Sequence, residues 1–278
     1  MNLIALLLGA VAIFSPVIGL ILMLMYCSLS LRNNSLEPLR ILGLVVAAPI
    51  LFAAVYRTQP GSLLVASDAL GGASLAALVF LFSLRRSSRP VAALANSALV
   101  IVAYGLLRHL AFGAYLEQTH EQAMNQLATG FPQLWQAAQT QESLTLMRYL
   151  IPAGWMLPQL GALLAGTLLF LHLGGVRLSW PKLSFPTYYN LALLAILPLY
   201  LFPQLRLLFV NALLALCVLP LVQGIGVISH FLSRHASNIL AMVLAIILIV
   251  LNLVLVTLLG FADIWLDFRK LKNKGTLA

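Results

Sequence analysis

The chain has 278 residues, of which 62% are hydrophobic and only 8% are charged, against roughly 25% charged in an average soluble domain. A soluble fold of this size could not bury so much apolar side chain and still present a charged surface, so lipid is the solvent for most of the protein. This composition excludes a secreted disulfide scaffold, a disordered chain and a cytosolic enzyme.

The net charge of +9 comes from 16 Lys and Arg against 7 Asp and Glu. The cations lie between or after the apolar runs, where they set membrane topology and contact lipid headgroups. The interleaving of basic and aromatic residues that is typical of nucleic-acid binding does not occur. We therefore expect membrane lipid, and not nucleic acid, as the partner of these charges.

Continuous apolar runs rich in Leu and Ala predict an all-α fold, a polytopic transmembrane bundle of about seven to eight spans. Residues 1–278 form a single membrane domain in this interpretation. The runs are approximately 3–31, 39–56, 62–84, 91–116, 150–173, 188–202, 205–232 and 238–264. The first run contains Ser15 and Pro16, and proline interrupts helical hydrogen bonding, so this run forms either two short helices or one bent span.

Positive charge follows the first, third and fifth runs and the last run. The first three of these loops alternate consistently and are placed in the cytoplasm. Eight complete spans would put the basic tail 265–278 outside, so one of the last three runs is expected not to cross. The run 188–202 is the leading candidate because it is short and framed by prolines, but the number and parity of spans stay open.

Residues 117–149 form the one long polar stretch of the sequence. Apolar side chains recur in it at helical spacing, which favours one or two amphipathic helices at the extracytoplasmic interface, broken near Gly130. This segment is either a packed surface loop or a lid over an outward-facing pocket.

Polar groups inside apolar runs are candidates for function because they are expensive in hydrocarbon. Asp68 is interpreted as an interfacial carboxylate near a helix N-terminus. Arg108, one turn after Tyr104, either extends to the outer interface or faces an interior cavity and binds an anionic ligand.

Two amides complete the set of candidate ligand-binding residues. Asn211 is typical of an interhelical hydrogen bond. Gln223 stands beside Gly224 and Gly226, so it lies either at a helix crossing or in a pocket wall. The candidate ligand-binding residues are Arg108, Asn211 and Gln223.

The end of the last run contains Asp263 and Asp267, one turn apart and therefore expected on one helix face, followed by Arg269 and Lys270. Two carboxylates on one face repel each other unless cations are near. The group is either a charge cluster that sets orientation or, through Asp263, Asp267 and Arg269, a docking element for a cytoplasmic partner.

Enzyme signatures are lacking from the sequence: it contains no HExxH, no GxSxG and no Walker A lysine. Cys27 and Cys217 lie in apolar runs and form no CxxC or Cys/His cluster. We expect no catalytic residue, no metal site and no cofactor, and any ATP-driven transport would need a partner chain.

The C-terminal third resembles the YybS-like family of bacterial membrane proteins over about residues 186–272. That family carries an Asn and a QG-containing helix followed by a closing helix of the form G-x-x-D-x-[WF]-x-[DN]-F-R-[KR]. The matching positions are Asn211, Gln223, Gly224, Gly226, Gly260, Asp263, Trp265, Asp267, Phe268, Arg269 and Lys270. The first half of the chain is similar in hydropathy, in Pro16 and in its Arg-rich loop positions.

The resemblance implies a multi-pass protein of the bacterial cytoplasmic (inner) membrane with a core similar to the S-components of energy-coupling-factor transporters. Such subunits bind a vitamin or metal ion and associate with a transmembrane coupling subunit and ATPases. The resemblance thus predicts a transporter component that binds a small molecule. The alternative is a scaffold or regulatory subunit that docks a cytoplasmic partner through its C-terminal helix end.

Overall fold

The structure, a computed structural model, describes residues 3–31, 37–59, 61–87, 89–130, 146–175, 183–232, 243–244, 247–248 and 250–271. Within these ranges the chain is helical and has no strand, which confirms the predicted all-α class. In chain order the helices are α1 (Leu3–Phe14), α2 (Pro16–Leu31), α3 (Glu37–Val45), α4 (Ala47–Val55), α5 (Ser62–Ser67), a π-helix (Asp68–Leu75), α6 (Ala76–Ser87), α7 (Pro90–Gly130), α8 (Ile151–Leu173), α9 (Tyr188–Leu201), a 3₁₀ turn (Pro203–Leu205), α10 (Arg206–Leu216), α11 (Val218–Leu232) and α12 (Leu253–Leu266).

Four helical segments in the described part of the chain are long and apolar enough to cross a membrane. They are Ser62–Ser87, Pro90–Gly130, Ile151–Leu173 and Pro203–Leu232. Further apolar helices have 10–17 residues, fewer than the about 20 that one span needs. By length and composition this is a membrane protein, but the predicted seven to eight spans are not supported, because several apolar runs are divided into short helices.

Pro16 divides the first run into α1 and α2, so the interpretation as two short helices is confirmed. Proline has no N–H to donate to the carbonyl of Ala12, and the hydroxyl of Ser15 accepts a hydrogen bond from the Ile18 N–H at 3.4 Å. A Cβ built on Gly19 would lie 2.7 Å from Cα of Ala12. In a straight helix these residues would be about 10 Å apart, so the chain bends sharply here.

The run suspected of not crossing forms α9, which is about 21 Å long at 1.5 Å per residue. A hydrocarbon core is about 30 Å thick, so α9 does not cross it alone. Phe202 is extended, with φ −98° and ψ 114°, and the 3₁₀ turn then leads into α10, which packs against α9. The parity of spans and the side of the C-terminus stay predictions.

The principal core lies between α2, the π-helix, α6, α7 and α8. Helix α8 packs along both α2 and α7, and α6 packs along α7. The side chains that fill this core are fully or almost fully buried, among them Leu20, Leu24, Phe80, Ile101, Met156 and Leu163. This packing holds the π-helix against α7 and α8.

Helices α11 and α12 pack closely through two glycines that face each other. A Cβ on Gly224 would overlap the carbonyl oxygen of Val256, and one on Gly260 would overlap the carbonyl oxygen of Pro220. Small residues at such a crossing let two backbones approach directly. Gly224, which the sequence places either at a helix crossing or in a pocket wall, therefore lies at a helix crossing together with Gly260.

Replacing Gly260 with Ala is expected to lower the thermal midpoint of the purified protein. The added methyl must push α11 and α12 apart, and overpacking of this kind costs about 1–3 kcal/mol. Gly161→Ala is the matched control, because Gly161 is also helical but a Cβ there meets nothing within 4 Å. The control should be neutral or slightly stabilising, since Ala favours a helix over Gly. Thermal unfolding of both variants in detergent is measured by tryptophan fluorescence. Equal thermal midpoints of the two variants would contradict the close crossing.

Candidate functional site

The π-helix Asp68–Leu75 interrupts the membrane-length segment Ser62–Ser87 and widens it locally. Its sequence DALGGASL contains a pair of glycines, which are weak formers of regular α-helix. The Ser74 hydroxyl donates to the carbonyl of Ala69, five residues earlier, at 3.0 Å. Single π-helical turns inside α-helices occur frequently at functional sites.

The two glycines of this turn allow two aromatic rings to lie directly on its backbone. A Cβ on Gly71 would overlap the ring of Tyr104, which comes from α7. A Cβ on Gly72 would lie 2.7 Å from Cζ2 of Trp155, which comes from α8. Any side chain at either position would displace a ring, so the glycines set the separation of the three helices.

Asp68, the first residue of the π-helix, forms a two-point ion pair with Arg108 of α7. Arg108 Nε donates to Oδ1 at 2.7 Å and Nη2 donates to Oδ2 at 3.0 Å. The side chains of Arg108 and Asp68 are 10% and 12% exposed. The pair is thus largely withdrawn from solvent but is not sealed, and Asp68 has a partner on α7 that the sequence analysis did not give it.

Two aromatic side chains enclose the pair. The Tyr104 hydroxyl donates to Oδ1 of Asp68 at 2.8 Å, and the guanidinium carbon of Arg108 lies 5.2 Å from the ring centroid of Trp155. The rings of Tyr104 and Trp155 meet edge to face at 5.2 Å. A cation on a tryptophan face gains about 1–2 kcal/mol when desolvated. We call Asp68, Tyr104, Arg108 and Trp155 the Asp68–Arg108 site.

The Asp68–Arg108 site retains unused hydrogen-bonding capacity. A guanidinium has five N–H donors, and Asp68 takes two of those of Arg108. Gln159, one turn after Trp155, is 1% exposed, and its Oε1 has no hydrogen-bond partner. Its amide nitrogen lies 3.3 Å from the Cβ position of Gly72. Three N–H donors of Arg108 and the buried Oε1 of Gln159 therefore have no hydrogen-bond partner within the described part of the chain.

Asn211, the second candidate ligand residue, is fully buried and uses its whole amide within the protein. Its Oδ1 accepts the Ala153 N–H at 2.8 Å, and its Nδ2 donates to the carbonyls of Tyr149 and Leu207, each at 2.8 Å. These bonds fix the first turn of α8, the helix that carries Trp155. Asn211 supports the helix beside the site and does not itself contact Arg108.

Gln223, the third candidate, belongs to a separate buried group near the end of α12. Its Nε2 donates to Oδ2 of Asp263 at 2.6 Å and its Oε1 accepts the Phe185 N–H at 3.0 Å. Arg269 donates to the same Oδ2 through Nη2 at 2.7 Å and Nε at 3.1 Å, and to the Leu183 carbonyl at 2.6 Å. We call Gln223, Asp263 and Arg269 the C-terminal clamp.

The clamp changes the interpretation of the C-terminal charges. The side chains of Arg269 and Asp263 are 0% and 1% exposed, so neither is available on a surface for a docking partner. Helix α12 ends at Leu266, and Asp267 adopts φ 47° and ψ 54°, with its Oδ1 accepting the Leu271 N–H at 3.0 Å. Asp263 and Asp267 thus do not share a helix face as expected, because the helix stops between them.

The position of the Asp68–Arg108 site follows from the length of α7. At about 1.5 Å per residue, Arg108 lies about 27 Å along this helix from Pro90, close to the thickness of a hydrocarbon core. Residues 117–130 of the polar stretch continue α7 as a mostly exposed helix that ends at Gly130. The segment 131–145 lies outside the described residues, so the lid stays a prediction.

The sequence identified Arg108 as a candidate and placed Tyr104 one turn before it. It did not pair Asp68 with these residues, and it did not indicate Trp155 or Gln159 as part of the site. A signal for Asp68 was present, since the glycine pair three and four residues later marks a close backbone approach. Nothing in the sequence indicated that Trp155 would lie under the guanidinium, because this contact joins helices that are far apart along the chain.

Within the described ranges, no three His, Cys, Asp or Glu side chains lie together as ligands of a metal ion would. Comparison of the chain with models of protein families, with curated proteins and with solved structures finds no match. Function is therefore inferred from the geometry of this chain.

Breaking the ion pair from one side is expected to be strongly destabilising. Asp68→Asn and Arg108→Gln should each cost about 3–5 kcal/mol, because each leaves a group without its partner in an apolar surrounding. The double variant should cost less than the sum of the two, by about 1–3 kcal/mol. The wild type, the two single variants and the double variant form a double-mutant cycle, and their free energies of unfolding are measured by titration with a denaturing detergent. The exposed pair Glu121–Arg148, at 2.9 Å, is the control, and its cycle should give less than about 1 kcal/mol. Additive effects at Asp68 and Arg108 would argue against the pair.

The clamp predicts that two adjacent cations, Arg269 and Lys270, contribute very differently to the stability of the protein. Arg269→Met should lower the stability by about 3–5 kcal/mol, because Asp263 then loses its buried partner. Lys270→Met should change it by less than about 0.5 kcal/mol, since Lys270 is exposed. Thermal unfolding of both variants in the same detergent compares them, and a larger effect at Lys270 would refute the assignment.

Proposed function

We propose that the protein is a multi-pass protein of the bacterial inner membrane that binds a small charged molecule at the Asp68–Arg108 site, as a component of a transport system. The observation that carries the proposal is an ion pair held by a π-helical turn within a membrane-length helix. Ionisable residues inside membrane segments are rare and commonly mark substrate or ion pathways.

The energetics of the pair favour a functional role. Removing two charges from water costs several kcal/mol per ion, and well-packed apolar residues of similar volume are often at least as stable. Three N–H donors of Arg108 are not used by Asp68, and Oε1 of Gln159, beside the π-helix, is buried without a hydrogen-bond partner.

The proposed orientation places the site at the outer side of the membrane. The loop with Arg85, Arg86 and Arg89 is cytoplasmic by the positive-inside rule. Helix α7 starts at Pro90, so its Arg108 lies near the opposite face, and the exposed remainder of α7 extends outward. A ligand would enter from this side, beneath the segment 117–149.

A component similar to an S-component is the transport role that fits the YybS-like resemblance. The sequence has no Walker A lysine, so ATP-driven transport would require a coupling subunit and ATPases. In this proposal the protein has about seven to eight spans. Some of these spans would each consist of two short helices joined at a bend. The rival proposal, a scaffold that docks a partner through Asp263, Asp267 and Arg269, is less well supported because Asp263 and Arg269 are buried and Asp267 is half-buried.

The experiment is a thermal-shift screen of the protein in lipid nanodiscs against small organic anions, cations and zwitterions. A true ligand at about 100 times its dissociation constant stabilises the folded protein by about 2.7 kcal/mol, a shift of roughly 5 °C. The shift should occur in the wild type and in Arg57→Gln, whose side chain is exposed, and should be lost in Arg108→Gln. A compound that stabilises Arg108→Gln equally, or a screen without any shift, would count against the proposal.

A further inference from the structure

An apolar groove lies between the start of α7 and the second half of α8. It is lined by Pro90, Val91 and Leu94 of α7, by the part of α8 between residues 164 and 171, and by Leu183 and Val222. Its volume is about 340 Å³ when the space at its open side is included. Pro90, Leu164 and Leu168 are half-buried, whereas the remaining lining side chains are buried. The groove is therefore closed at depth and open along one edge. We call it the α7–α8 groove.

Thr167 of α8 is the one polar residue in this lining. It is 4% exposed, and its hydroxyl has no hydrogen-bond partner. Three other helical threonines of the described chain, Thr119, Thr129 and Thr257, each donate to the carbonyl four residues earlier. This local bond is a common way for a helical threonine to satisfy its hydroxyl. Thr167 instead leaves a donor beside a space that can hold an acceptor.

Positive charge stands at the end of the groove where α7 begins. Arg86 and Arg89 are exposed, and neither forms an ion pair within the described ranges. Arg89 directly precedes Pro90, and the N-terminal end of a helix as long as α7 also favours negative charge. The short connection between α6 and α7 joins two segments of membrane length, so these arginines lie at a membrane surface.

We propose that one anionic phospholipid binds at this corner of the bundle, with its phosphate on Arg86 and Arg89 and one acyl chain in the α7–α8 groove. An ester carbonyl of the lipid accepts the hydrogen bond of Thr167. At 1.5 Å per residue, Thr167 lies about 9 Å inside the end of α8 at Leu173. Cations, a neutral donor and an apolar groove thus meet the phosphate, the ester and the chain of one molecule.

A phospholipid accounts for all three features, whereas a soluble anion accounts for one. Inorganic phosphate would engage the arginines and leave the groove and the Thr167 hydroxyl without a partner. The groove opens between helices that cross the membrane, where the surrounding medium is hydrocarbon. This inference goes beyond the proposed function and involves no residue of the Asp68–Arg108 site.

The bound lipid would also support the C-terminal clamp. Leu183 lines the groove, and its carbonyl accepts the bond from Arg269 at 2.6 Å. Val222, on the opposite side of the chain fold, lines the groove and directly precedes Gln223. A chain that fills the groove packs against both of these parts of the clamp, so lipid binding should raise the thermal midpoint of the protein.

The headgroup is tested with dioleoyl phosphatidylglycerol and dioleoyl phosphatidylcholine, which differ in net charge but not in their chains. Each is added to the delipidated protein in detergent, and bound lipid is counted by native mass spectrometry. An arginine near an anionic headgroup contributes about fivefold in affinity. We expect phosphatidylglycerol to bind up to about 25-fold more tightly and to raise the thermal midpoint more.

The matched variants distinguish this corner from other basic positions. Arg86→Gln combined with Arg89→Gln should abolish the preference for phosphatidylglycerol. Arg57→Gln should retain it, because Arg57 is an exposed cation that also precedes a membrane-length segment but has no part in the groove. All three arginines are exposed, so these substitutions leave the core intact.

The ester contact is tested with the diether analogue of phosphatidylglycerol, which lacks the ester carbonyls. The wild type should prefer the ester lipid by about two- to tenfold, as one neutral hydrogen bond allows. Thr167→Val keeps the shape of the side chain and should bind the two lipids equally. Thr257→Val should retain the preference, since its hydroxyl donates to Leu253 and does not line the groove.

The chain position is tested on neighbouring residues of α8. Leu168→Phe should narrow the groove and weaken the binding of both phospholipids by about tenfold. Leu169→Phe should have no effect, because Leu169 is 37% exposed and lies outside the lining. A photoreactive group in the acyl chain of phosphatidylglycerol should label residues 164–171 and the start of α7.

General lipid contact is the outcome that would overturn the inference. In that case the two headgroups bind alike, label spreads over all lipid-facing helices, and Leu168→Phe behaves as Leu169→Phe does. A preference for phosphatidylglycerol that survives the loss of Arg86 and Arg89, or that Arg57→Gln abolishes equally, would also overturn it. Either result leaves the proposed function standing, because the thermal-shift screen depends on Arg108.

Discussion

An ionised side chain among apolar helices is stable only where the same chain supplies its counter-charge and its hydrogen bonds. This constraint determines where helices of this protein meet. Asp68 holds the π-helix to α7 through Arg108, and Asp263 holds the end of α12 to α11 and to the backbone at Leu183. Hydrophobic burial gives these helices little preference for one orientation in lipid, whereas each polar contact admits one register.

The two ion pairs obey the same constraint but have different consequences. In the clamp, the side chains of Arg269 and Asp263 are buried, the Gln223 amide donates to Oδ2 of Asp263, and the Leu183 carbonyl accepts from Arg269. At the Asp68–Arg108 site the pair is slightly exposed and lies on an aromatic face, with donors left over. The first arrangement resists exchange of partners and serves as a fastening. The second leaves N–H donors of Arg108 that Asp68 does not use, and the proposed binding of a ligand rests on this difference.

The sequence predicted the class of fold well and the site only partly, for physical reasons. Continuous apolar runs require helices, and Pro16 requires an interruption, since both follow from local chemistry. The predicted seven to eight spans are not supported because hydropathy does not register where a continuous apolar run is divided into short helices, as 39–56 is into α3 and α4. Arg108 was identified because a charge is conspicuous in an apolar run, but its partners Asp68 and Trp155 lie on other helices. Gln223 and Asp263 were each singled out, yet their hydrogen bond depends on the glycine crossing of α11 and α12, which only tertiary packing reveals.

The clamp also ties the end of the described chain to its middle. Its partners are spread along the sequence, and the bond from Arg269 to the Leu183 carbonyl spans 86 residues. A contact across so long a loop costs chain entropy before it contributes any stability. Loss of Arg269 would therefore release two distant parts of the chain at once, the end of α12 and the backbone at Leu183.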